Sequence, residues 1–185
     1  MYKLCQTPRT IQRSQHIASC LLSMMTHTHF NDITISALCK EAGVPRKSFY
    51  RYFDTKEDVF HLMLDTLMTE CIRLCEMDAH KAVEVTIERL TVCFRFWSEQ
   101  KAVFDAAGKS GMMPHILTRM LQYYELVISP EQNSIPASDE QIRTIFAMTG
   151  MFSMILQWYE SGFARSPEEM ALLTFDILKK PLLPS

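Results

Sequence analysis

Residues 33–56, ITISALCKEAGVPRKSFYRYFDTK, limit what this chain can fold into more than any other stretch. Ile35, Leu38, Cys39 and Ala42 recur at helical spacing and give one apolar face to a helix over residues 34–42. Thr34 suits its N-cap, because its hydroxyl can accept from an orphan amide of the first turn. Gly43 stops the helix, since glycine enters the left-handed region without a Cβ clash. Val44 plugs the turn, and Pro45 suits the first turn of a new helix, where a missing N–H costs nothing. That second helix reads RKSFYRYF, residues 46–53. Phe49 and Phe53 are four apart and turn inward together. Arg46, Lys47, Ser48, Tyr50, Arg51 and Tyr52 remain for the other faces. They supply cations for phosphates and guanine edges, a hydroxyl, and two phenols that can donate to phosphate. A helix read in a major groove needs that set.

The run AGVPRKSFYRYFDTKEDVF resembles the signature of TetR-type transcriptional repressors, A-G-V-small-x-x-[ST]-[LF]-Y-x-[YH]-F-x-[ST]-K-E-x-[LV]. The likeness extends over residues 9–64. A less specific pattern, W-x-x-x-G-x-x-x-S-P-E-E-x-A at residues 158–171, resembles the dimerisation end of many such proteins. The resemblance implies an all-α chain, with a three-helix helix-turn-helix head at residues 1–54 and a helical effector-binding and dimerisation body at residues 55–185. It also implies that Lys56, beside the second helix, contacts phosphate. Two positions depart from the pattern. Pro45 stands where serine or threonine is usual, which removes one phosphate contact. His29 stands near a usual glycine, so mild strain from positive φ is expected there.

Charge agrees with a DNA-reading head. Up to Phe53 there are seven basic and two acidic residues, a net of +5, so with −2 overall the remainder carries −7. Six cysteines, Cys5, Cys20, Cys39, Cys71, Cys75 and Cys93, form no C-x-x-C pair. Several lie on apolar faces as small hydrophobes, which reads as a reducing cytoplasm with no signal peptide ahead of the domain. Cys71 and Cys75 are four apart and can face one cavity, where the choices are packing thiols or a sensor; packing is the expectation. His27 and His29 lack a third partner, so neither a metal nor a cofactor is expected. The most apolar run, residues 145–156, is too short for a bilayer.

Along the chain, helices are expected at residues 9–26, from Thr55 as N-cap to residue 76, at 81–98, at 102–107 ended by Gly108, at 112–128, at 139–163, and from a cap at Ser166 to residue 180. Residues 129–138, SPEQNSIPAS, read as a loop. The helix over 139–163 is apolar on more than one face, which calls for a second copy and a four-helix dimer interface. Catalysis is not expected. Gly108-Lys109-Ser110 would need a glycine five residues earlier to make a phosphate loop, and Val103 stands there.

These features describe a homodimeric DNA-binding regulator, a repressor released from a palindromic operator by a small molecule. Thr34, Arg46, Lys47, Ser48, Tyr50, Arg51, Tyr52 and Lys56 are the expected DNA contacts, Arg46 and Lys47 at base edges and Tyr50, Tyr52 and Lys56 at phosphates. The resemblance puts an effector in the body, where Cys71, Phe94, Trp97, Phe104, Met113, Leu117, Met120, Tyr123 and Phe146 would line its pocket. Such a lining favours a hydrophobic or aromatic ligand. Two alternatives stay open: a constitutive DNA-binding dimer without ligand, and a protein–protein adaptor using the helical body.

Overall fold

The computed structural model describes residues 7–75, 85–123 and 139–179. Among them the regular structure is all helical: α1 (Pro8–Met25), a 3-10 turn (Phe30–Asp32), α2 (Ile35–Glu41), α3 (Arg46–Phe49), α4 (Lys56–Leu74), α5 (Ile87–Glu99), α6 (Lys101–Ser110), α7 (Met113–Tyr123), α8 (Asp139–Glu160) and α9 (Pro167–Lys179). The expected N-terminal arm, the first residues of the expected 81–98 helix, the end of the 112–128 helix and the 129–138 loop lie outside the described residues.

Two units divide the chain. The first comprises Met1–Leu67 and Ala102–Arg119, and the second Met68–Lys101 and Met120–Ser185. The core of the first is set by helical spacing. Ile17, Leu21 and Met25 of α1 are fully buried, as are Leu38 of α2 and Phe49 of α3, together with Phe53, Val59, Phe60 and Leu64. Burying each such side chain is worth roughly 1.5–3 kcal/mol. The Phe30 and Phe60 rings meet edge to face at 6.1 Å. His16 Nε2 reaches the Ala42 carbonyl at 3.2 Å and ties α1 to the end of α2. Asp65 of α4 and Arg119 of α7 make a fork-to-fork pair, with N···O distances of 2.8 and 2.5 Å and both side chains nearly buried.

In the second unit the aromatic rings pack in two groups. Trp97 meets Phe96 and Phe152, Phe94 meets Trp158, and Trp158 meets Phe163, all edge to face at 4.7–6.3 Å. The Trp158 indole donates to the Arg165 carbonyl at 3.1 Å, so its one polar atom is satisfied. Ser166 and Glu169 exchange backbone-to-side-chain bonds of 3.1 and 2.7 Å, a capping box that starts α9 where expected.

Several boundaries differ from the sequence reading. α5 begins at Ile87, because Thr86 caps it by accepting from Arg89 N. Gly108 lies inside α6, and Gly111 ends it at φ +76°, with Met112 N closing back onto Ala107 O at 2.8 Å. A Cβ at Gly111 would also stand 2.6 Å from His29 Nε2, so the exposed His29 ring would have to shift. His29 itself has φ −61° and accepts from Asn31 N through Nδ1. The expected positive φ does not occur, because His29 serves as an N-cap to the 3-10 turn.

Candidate nucleic-acid interface

Short-range hydrogen bonds set the helix-turn-helix. Thr34 Oγ1 accepts from Ala37 N at 3.1 Å and starts α2. Gly43 takes φ +61°, and Val44 N returns to Cys39 O at 3.0 Å. This left-handed exit turns the chain into Pro45, which stands as the N-cap of α3 one residue ahead of the expected position. α3 keeps only Arg46–Phe49 in α geometry. Beyond it Arg51 N and Tyr52 N bond three residues back, to Ser48 O and Phe49 O, so the segment tightens into turns where a helix to residue 53 was expected. The Phe49 and Phe53 rings meet at 5.5 Å in the core, tilted by 46°, and anchor this tight segment from beneath.

The outward side carries the expected chemistry. Thr34, Arg46, Lys47, Tyr50 and Arg51 are exposed, and Ser48 is half-buried. Arg46 Nη2 donates to the Tyr50 hydroxyl at 3.2 Å, and its guanidinium lies 5.9 Å from the Tyr50 ring centre. The two side chains therefore hold each other in place on one edge of α3.

Two expected contacts sit differently. Tyr52 is only 6% exposed and packs beside Phe53 at 6.3 Å, because the tightened turns after α3 rotate it inward. Lys56 Nζ donates to the carbonyls of Phe30, Asn31 and Ile33 at 2.6, 3.1 and 2.8 Å, and lies 4.6 Å from the Phe30 ring centre. Three carbonyls match the three protons of an ammonium. Lys56 thus binds the 3-10 turn to the start of α4. Sequence spacing missed this role, since the partners lie 23–26 residues away. It also passed over α1, where Arg9, Gln12, Arg13 and His16 line a shallow surface recess of about 280 Å³. Their spacing along one helix face was the available signal.

Comparison with known families agrees with this geometry. Residues 24–63 match the model of the bacterial regulatory proteins, tetR family. The matched segment covers the end of α1, both helices of the helix-turn-helix and the first turns of α4. No curated protein matches this chain by sequence. Among solved structures, a TetR-family transcriptional regulator from Syntrophomonas wolfei str. Goettingen is similar over 94% of this chain and 97% of its own, at 19% identity and a TM-score of 0.57. A TetR transcriptional regulator from Streptococcus agalactiae 2603V is similar over 91% and 94%, at 14% identity and 0.60. The fatty acid degradation regulator FadR from Bacillus halodurans is similar over 98% and 100%, at 14% identity and 0.54. At such identities the likeness is one of fold.

The residues expected to line an effector pocket divide between the units. Phe104, Met113 and Leu117 belong to the first, and Cys71, Phe94, Trp97, Met120, Tyr123 and Phe146 to the second. Phe94, Trp97, Phe104, Met120 and Tyr123 are buried, and the Tyr123 hydroxyl hydrogen-bonds Thr69 Oγ1 at 2.7 Å. Phe146 is 61% exposed and shares an outward stripe of α8 with Ile142 and Ile145. It is a surface residue of this unit. No helix among the described residues is long and apolar enough to cross a membrane.

Proposed function

We propose that this chain is a DNA-binding regulator of the TetR type and acts as a homodimeric repressor. Two heads would present their α3 segments to successive major grooves of a palindromic operator, roughly 34 Å apart. The exposed array of Arg46, Lys47, Ser48, Tyr50 and Arg51 on a segment anchored by Phe49 and Phe53 carries the reading. Arg46 and Lys47 are the base-edge candidates. Tyr50, Arg51 and Thr34 are the phosphate candidates. Lys56 and Tyr52 hold the segment's position, and Lys56 reaches phosphate only by releasing one of its three carbonyls.

Dimerisation is supported by the apolar residues left outward on the last two helices. Ile142 and Phe146 of α8 are 57% and 61% exposed, and Leu172 and Leu178 of α9 are about half exposed. A two-fold axis would bury this surface against its own copy. Release would follow if a small apolar ligand binds better to a form whose head spacing does not fit the operator.

A second reading, a constitutive DNA-binding dimer, is favoured by the ring-on-ring packing of Phe94, Trp97, Phe152 and Trp158. In that reading these rings are core alone. Selection of binding sites from random duplexes at near-physiological salt tests the DNA proposal. A recovered palindrome supports it, and binding without a consensus, or no binding, rejects it. Titrating the recovered complex with apolar compounds then separates the ligand-released repressor from the constitutive dimer.

A further inference from the structure

Three sulfur atoms converge in the second unit. Cys71 lies on α4, and Cys75 follows one turn later, its N–H donating to Cys71 O at 2.9 Å. Cys93 comes from α5. All three Sγ atoms lie within 4.8 Å of one another, with Cys71 and Cys93 at 3.8 Å. The three residues are 7%, 2% and 8% exposed. Among the described residues no imidazole or carboxylate joins the group. A cysteine used only as a small hydrophobe needs apolar neighbours and gains nothing from two further thiols. Residues 71 and 75 were legible as a pair in the sequence, but the third sulfur comes from another helix and has no spacing signature.

We propose that Cys71, Cys75 and Cys93 form a buried three-sulfur site for a soft, thiol-seeking element, and that its charge selects a trivalent one of the arsenite class. Sulfur-only ligation excludes hard ions such as magnesium and calcium, which take oxygen. A pyramidal three-coordinate centre with bonds near the zinc–sulfur length, about 2.3 Å, puts its sulfurs about 3.5 Å apart. Cys71 and Cys93 already stand near that spacing, and the Cys75 sulfur must close in on them. Three thiolates carry three negative charges. A monovalent or divalent ion leaves net charge buried at the sulfurs, whereas a trivalent centre leaves none.

The exchange balances. Three arsenic–sulfur bonds form and three arsenic–oxygen bonds break. Each leaving hydroxyl departs as water, taking the proton of the thiol whose sulfur replaces it. No electrons move.

The site stands independently of DNA reading, but its use as a release signal rests on the proposed repressor. Arsenite added to the reduced full-length protein should bind at one equivalent per chain and protect three of six thiols from alkylation, identified by peptide mass as Cys71, Cys75 and Cys93. Cys5, Cys20 and Cys39 changed together to serine should leave this binding intact. Cys93→Ser and Cys75→Ser should each weaken it at least tenfold, with unfolding curves checking that each variant is folded. Absent protection, or protection lost only with Cys20 or Cys39, overturns the site. Protection by zinc or monovalent copper but not arsenite overturns the trivalent assignment. A Cys71–Cys93 disulfide formed in air that arsenite cannot prevent overturns it in favour of a redox pair. Arsenite binding that leaves operator affinity unchanged removes the signalling role and keeps the site. Failure to bind any operator, with arsenite still bound, rejects the repressor and not the site.

Discussion

The outward side of α2–α3 and the outward stripe of α8 are both incomplete, in opposite chemical senses. Around α3 the exposed groups are cations, a hydroxyl and a phenol, and the segment is short, tightly turned and pinned from beneath by Phe49 and Phe53. On α8 the exposed groups are Ile142, Ile145 and Phe146, on a helix of 22 residues. Charged donors held in a fixed geometry recognise a patterned polyanion, which requires rigidity. Apolar area asks only to be removed from water, which a second copy of the same surface can do. The difference is visible in how each region is held: caps and hydrogen bonds dominate the first, and ring packing the second.

Giving one face the chemistry of the other should produce the largest effect. Ile142→Glu with Phe146→Glu should convert a dimer to a monomer in sedimentation and lower operator affinity by roughly 10²–10⁴-fold through lost bivalency. A dimer that persists would remove α8 from the interface. Next comes the scaffold beneath the head. Arg119→Ala removes the guanidinium from the nearly buried Asp65 carboxylate and should cost about 3–5 kcal/mol in urea unfolding, most of it recovered by Asp65→Leu in the same chain.

Lys56→Ala should cost about 1.5–3 kcal/mol of stability, because three carbonyls lose a charged donor. Its operator affinity should fall alongside that loss. An unchanged stability with a flattened salt dependence would instead make Lys56 a simple phosphate contact. Lys47→Ala should leave stability alone and remove about 1–3 kcal/mol of discrimination at one base pair.

The smallest effect is one of pH. Burial first, and then the Arg119 guanidinium, hold the His61 imidazole below its ordinary value of 6.5, against the pull of Asp65 and Asp58. The unfolded chain therefore takes a proton more readily than the folded one. Stability from this group should be complete above 6.5 and decline as pH falls from there toward the lowered folded value. His61→Gln should flatten that decline in thermal melts, and an unaltered slope would assign it elsewhere.

Local chemistry made much of the head legible. Thr34 and Gly43 cap and end α2 as their side chains dictate, because both acts use bonds within five residues. The spacing of Phe49 and Phe53 named the buried anchors, because a residue facing inward on a helix recurs at four. The boundaries of α5 and α6 were less legible, since Thr86 and Gly111 compete with equally plausible neighbours until packing chooses. Gly111 is chosen in part by His29, some eighty residues earlier in the chain.

By itself, then, the sequence determined an all-helical chain, a head that resembles the TetR type and the side chains that such a head turns outward. Periodicity, caps and short motifs carry that information locally. Only the tertiary structure decided that Tyr52 turns inward, that Lys56 serves three carbonyls, that Phe146 lies outside, and that Cys93 completes a trio with Cys71 and Cys75. Each of those outcomes depends on where separate helices come to rest, and side-chain spacing within one helix carries no record of that.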